Sequence, residues 1–103
     1  LVHLHVTFTV RAHHCSRYEE LFRTLFLPIL ARHGFRSLGI WRTMVGDAGR
    51  YVEIWEFDSV EDYADKWRAM SRDPETASVL QQTGPLVENE TFSLLEPTGL
   101  LVP

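Results

Sequence analysis

Val2, Leu4, Val6, Phe8 and Val10 alternate with His3, His5, Thr7, Thr9 and Arg11, a period of two that predicts a strand with unlike faces. The apolar spacing then becomes helical. Tyr18, Leu21, Phe22, Leu25, Ile29 and Leu30 form one stripe, and Ser16 and Glu19 stand at capping-box spacing ahead of it. A first helix is expected from about Arg17 to His33. Pro28, which lacks a backbone donor, should bend or restart it, and Gly34 should stop it. Alternation returns from Phe35 to Val45, and GDAG at 46–49 reads as the turn of a hairpin leading into YVEIWEF. Ser59, with Glu61 and Asp62 behind it, opens a second helix with a buried stripe of Val60, Tyr63, Ala64, Trp67 and Met70. Asp73 and Pro74 restart a shorter helix. Thr83, Gly84 and Pro85 end it, ENETFSLLEP reads as a last strand, and the tail to Pro103 is apolar enough to pack on something.

The order is β-α-β-β-α-β, which predicts an α+β, ferredoxin-like domain with an antiparallel sheet, strand one lying beside strands three and four. At 103 residues the chain fits a single domain, 1–103. Both helices should cover one face, leaving the other to water or to a second copy of the chain. The covered face is assigned Leu4, Val6, Phe8, Leu38, Ile40, Met44, Val52 and Ile54. Pleat alternation then sends His3, His5, Thr7, Trp41, Thr43, Tyr51, Glu53, Trp55 and Phe57 to the open face. A contiguous aromatic patch marks an interface or binding site, yet a dry interface would not hold two histidines and a glutamate without partners. A cavity closed by a second subunit meets both conditions: a homodimer enclosing a small molecule.

Composition narrows the partners. Ten Lys and Arg against fourteen Asp and Glu give a net charge of −4, so no basic field attracts nucleic acid or anionic lipid. No apolar run approaches the roughly 20 residues that span a bilayer, and the first ten residues do not form a signal-peptide core. The lone Cys15 cannot make an internal disulfide. A cytoplasmic protein without membrane or nucleic-acid partners is expected. The chain starts without methionine, so residues ahead of Leu1 are expected too.

Histidine is a general base near neutral pH because its ordinary pKa is ~6.5. His5 or His3 could take a proton from a phenol or from a carbon beside a carbonyl, with Glu53 orienting the ring or sharing the proton. The resulting carbanion can react with oxygen or rearrange without a flavin or metal. Trp41, Tyr51 and Trp55 would form walls for a flat ligand, with Thr7, Thr43 and Phe57 around them. Two histidines and a carboxylate also match the ligand types of a two-His, one-carboxylate metal site, but the spacing is permissive, and neither metal nor cofactor is assigned. Both histidines could equally be hydrogen-bonded interface residues, and Trp67 reads as core. No Gly-rich phosphate loop, serine nucleophile elbow, zinc spacing or Cys-His pairing is present, which disfavours nucleotide-driven and hydrolytic classes.

LPILARHG at 27–34, GIWRTMVG at 39–46, EIWEFDSVEDY at 53–63, DPE at 73–75 and LLEP at 94–97 resemble the NIPSNAP proteins of the dimeric α/β-barrel superfamily, which also holds the antibiotic-biosynthesis monooxygenases. NIPSNAP-like sequences often carry Glu and Arg where His3 and His5 stand here, and His in place of Glu53. The resemblance implies a homodimeric barrel. Relatives in the wider superfamily perform cofactor-independent oxygenation, isomerisation or cyclisation of aromatic or polyketide-like molecules; many NIPSNAP members have no assigned activity. An enzyme of that kind is the expectation, and a non-catalytic ligand-binding or scaffold protein of the NIPSNAP type is the rival.

Overall fold

The computed structural model describes residues 1–100, and its elements follow the expected order. They are β1 (Val2–Thr9), α1 (Cys15–Leu21), a π-helical turn (Phe22–Phe26), α2 (Leu27–Arg32), β2 (Arg36–Arg42), β3 (Arg50–Phe57), α3 (Val60–Arg72), α4 (Pro74–Thr83) and β4 (Glu88–Leu95), with 3₁₀ turns at Ala12–His14 and Gly84–Leu86. The four strands form one antiparallel sheet in the order β2-β3-β1-β4, the ferredoxin-like α+β arrangement. The end of the apolar tail, 101–103, lies outside the described residues. Among the described residues no helix is long and apolar enough to cross a membrane.

Local chemistry sets the element ends. The capping box expected at Ser16 and Glu19 does not form. The helix begins two residues earlier, at Cys15, with no side-chain cap, and the Cys15 thiol donates to the carbonyls of Val10 and Arg11, both at 3.6 Å. Glu19 instead binds the Tyr51 hydroxyl and Arg42. Pro28 cannot donate to the carbonyl four residues back, and the turn ahead of it widens so that the amide of Leu27 reaches the carbonyl of Phe22. Ser59 caps α3 by accepting from the Asp62 amide at 3.0 Å, and Asp73 caps α4 by accepting from Glu75 at 3.0 Å. Val60 is exposed at the start of α3, so the inward stripe there is Tyr63, Trp67 and Met70.

The sheet register corrects the face assignment. Leu4 pairs with Trp55, Val6 with Glu53 and Phe8 with Tyr51, and directly opposed residues point to the same side of a sheet. Tyr51, Glu53, Trp55 and Phe57 therefore lie beneath the helices with Leu4, Val6 and Phe8, all of them buried. Val52 and Ile54 are on the open face. The reason is size: Tyr, Trp and Phe each bury about 150–250 Å², more than Val and Ile can offer. Phe8 stacks on Tyr51 at 5.2 Å, and Phe35 meets the edges of Trp55 and Phe57 at 5.9 and 5.2 Å.

In β2 the register shifts between Ser37 and Gly39, leaving Leu38 as the extra residue of a bulge. Gly39, at φ +151°, lets the Trp41 ring lie across the backbone: a Cβ there would stand 2.4 Å from that ring. Beyond the bulge Trp41 pairs with Val52 and so faces outward, as expected, while Ile40 pairs with Glu53 and faces the helices. Met44 and Val45, expected in the strand, are exposed in the hairpin loop.

Candidate functional site

Between the helix-facing side of the sheet and the helices lies a cavity of about 450 Å³. Its floor is Leu4 and Val6 of β1, Glu53 and Trp55 of β3, and Glu90 and Phe92 of β4. Tyr18 and Phe22 wall one side, Trp67 and Met70 another, and Thr76 and Leu80 of α4 close the roof. Leu80 and Phe92, each 48% exposed, mark its mouth. A wider, more open hollow of about 690 Å³ runs between α1 and the β2–β3 hairpin, lined by Glu19, Trp41, Arg42, Thr43 and Tyr51 among others. Tyr18, Phe22 and Glu53 belong to both. Glu53 thus stands where an outer vestibule meets the inner cavity.

Glu53 is only 7% exposed, and one carboxylate oxygen accepts the Trp55 indole N–H at 2.9 Å. Burial pushes its pKa up to about 7; the Trp55 hydrogen bond opposes that rise, and the nearby Glu90 carboxylate adds to it. Burial also raises Glu90. The Tyr18 phenol is held protonated far above its ordinary range, first by burial and then by Glu53. A carboxyl that titrates near neutrality in an apolar pocket can both take and return a proton at physiological pH. Above it, the Thr76 hydroxyl oxygen is buried with no hydrogen-bond partner among the described residues, a condition that costs about 1–3 kcal/mol in an unliganded protein.

Only part of the expected set converges. Glu53 and Trp55 are in the inner cavity, and Tyr51 and Thr43 line the vestibule. Phe57 is sealed in the core against Phe35 and Tyr63 and lines neither. His3, His5 and Thr7 point to the far side of the sheet. His3 pairs with Glu56 at 3.3 Å, His5 lies between Ile54 and Ser93, and the Thr7 hydroxyl bonds that of Thr91. Trp41 faces that side by its pairing with Val52, yet on the edge strand its ring also lines the vestibule. The two histidines and Glu53 are consequently separated by the sheet, so the two-His, one-carboxylate set is not assembled; among the described residues no group of three His, Cys, Asp or Glu could hold a metal. Sequence reasoning missed Tyr18, Thr76, Glu90 and Phe92 and gave Trp67 to the core. For Thr76 a signal existed: it shares the spacing of Val79, Leu80 and Thr83, a polar residue on an apolar helix face.

The NIPSNAP family model matches residues 5–101. The chain belongs to the NIPSNAP family. Among solved structures, this NIPSNAP chain is similar to an uncharacterized NIPSNAP domain protein from Burkholderia xenovorans, with TM-score 0.90, 17% identity and complete coverage of both chains. It is also similar to a putative antibiotic biosynthesis monooxygenase from Nitrosomonas europaea, with TM-score 0.71, 13% identity, and 95% and 99% coverage of this chain and that one. A third is SnoaB, a cofactor-independent oxygenase from Streptomyces nogalater, with TM-score 0.72, 22% identity, and 97% and 95% coverage. At these identities the likeness is one of fold. No curated protein matches the sequence.

Proposed function

We propose that this NIPSNAP protein is a small-molecule enzyme in which Glu53 takes a proton from an aromatic or polyketide-like ligand bound beneath the helices. The observation that carries this reading is a buried carboxyl, its pKa raised to about 7, on the wall of a cavity of about 450 Å³, within the ~300–1,000 Å³ of small-molecule sites. The aromatic walls suit a flat ring system.

In the first step a C–H or O–H bond of the ligand breaks. Its proton passes to a Glu53 oxygen, and its electron pair spreads into an adjacent carbonyl or ring. That pair can take the proton back at another carbon, giving isomerisation, or attack a carbonyl of the same ligand, closing a ring. With molecular oxygen as co-reactant, a ligand CH₂ becomes C=O, one oxygen atom entering the product and the other leaving as water with the two hydrogens. The likeness in fold to SnoaB, a cofactor-independent oxygenase, supports this last route.

The same reading makes the protein a homodimer, joined through the open sheet face. Its support is Trp41 and Leu95, about half exposed, beside the half-buried Val52, Ile54, His3 and His5, an apolar surface rimmed by polar groups. It also puts the protein in the cytoplasm, where the buried thiol of Cys15 stays reduced.

The test is deuterium incorporation into, and oxygen uptake by, a panel of enolisable aromatic ketones with wild type and Glu53→Gln. The expected result is catalysis that falls by ~10²–10⁴ in the variant. Equal rates in both proteins, or binding without any exchange or uptake, would contradict the enzyme reading.

A further inference from the structure

Thr76 and Thr83 share one face of α4, and both are buried. The Thr83 hydroxyl bonds back to the carbonyl of Val79, four residues earlier, at 3.3 Å. Thr76 makes no such bond. Four residues before it is Arg72, the last residue of α3, and the chain then turns to extended backbone at Asp73 (φ −69°, ψ 123°) before α4 begins at Pro74. The Asp73 carbonyl, three residues ahead, accepts the Thr76 backbone amide at 3.0 Å, and the hydroxyl itself has no partner among the described residues. At 2% exposure it has almost no contact with bulk water, and it lines the same inner cavity as Glu53.

The other polar groups of that cavity sharpen its chemistry. Its lining includes two carboxylates, Glu53 and Glu90, and no Lys, Arg or His. The Trp55 indole N–H is already given to Glu53. We propose that the Thr76 hydroxyl is a ligand anchor, donating to the carbonyl oxygen of an uncharged fused-ring ketone. This rests on the reading of the Glu53 cavity above and extends it. A donor at the carbonyl also holds the oxygen on which negative charge gathers when the proton leaves an adjacent carbon. A ligand bearing a carboxylate meets two acidic groups and no cation, and is turned away.

Equilibrium dialysis of the full chain at pH 8 with 2-tetralone, tetralin and 2-naphthoate tests this. Wild type should bind 2-tetralone at least tenfold more tightly than 2-naphthoate. Thr76→Val should bind the ketone about tenfold more weakly, the loss of one hydrogen bond, and Thr76→Ser should restore the affinity. Tetralin, which has no carbonyl, should bind wild type and Thr76→Val alike. Without ligand, Thr76→Val should melt no lower than wild type, because the hydroxyl has no partner inside the protein. Full affinity of Thr76→Val for 2-tetralone, equal or tighter binding of 2-naphthoate, or a lowered melting temperature of ligand-free Thr76→Val would overturn the anchor. Deuterium exchange at the carbon between ring and carbonyl of 2-tetralone fails separately: rates equal in Glu53→Gln and wild type overturn the proton-transfer reading and leave the Thr76 affinity ratio to be judged alone. Wild type that binds none of the three at millimolar concentration overturns both.

Discussion

Glu53 is placed at the cavity wall by the pleat, and burial there raises its pKa. Unfolded, its carboxyl ionises near the ordinary value of 4.5; folded, it does so at about 7. Between those values the native state keeps a proton that the unfolded chain releases, so stability falls as pH rises through this window and the penalty is complete above pH 7. The difference corresponds to about 3 kcal/mol. Urea unfolding at pH 5 and pH 8 should show wild type losing stability on that scale, with Glu53→Gln losing clearly less and more stable than wild type at pH 8. Parallel pH dependence in the two proteins would mean that the carboxyl is not desolvated. As residue types, Glu53 and Trp55 were legible in the sequence as site candidates; their neighbours were not. Thr76 shows in the sequence only as a polar residue on an apolar helix face; that the face roofs a cavity depends on the sheet beneath it, which its spacing does not reveal.

Element order was legible because each element carries its own punctuation: alternation in β1, the Ser59 cap, Asp73-Pro74, and the hairpin turn. The faces of β3 were not. Both parities of YVEIWEF contain apolar residues, and only pairing with β1 shows that Tyr51, Trp55 and Phe57 go inward while Val52 and Ile54 go outward. In β2 the bulge at Leu38 changes parity midway, which no count along the chain reveals. The hairpin depends on one close approach. Gly49 sits at φ +82°, its carbonyl accepts the Val10 amide at 2.8 Å, and a Cβ on it would fall 2.1 Å from the Val10 carbonyl oxygen. Backbone on both sides leaves nothing to yield. Gly49→Ala should destabilise the fold by roughly 3 kcal/mol or more, read by denaturant unfolding; a wild-type midpoint would contradict this register.

At the scale of the whole molecule the sheet separates two environments that the sequence presents interleaved. Beneath the helices are the cavity and its carboxyl; on the other side are His3 and His5, with Trp41 at the edge where that face meets the outer hollow, the face proposed to join two copies. Light scattering should give twice the chain mass for wild type, and Trp41→Glu, a charge set into that apolar contact, should shift the protein toward monomer. A monomeric wild type would remove the dimer and leave the cavity intact, since every wall of it comes from one chain. The chemistry of the cavity turns on one group: a carboxyl under the helices that ionises near neutrality. Carbon-13 NMR titration of the glutamate side-chain carboxyls, with the Glu53 signal assigned by its loss in Glu53→Gln, measures this directly. A midpoint near 7 is the predicted result; a midpoint near 4.5, that of a solvated glutamate, would contradict it.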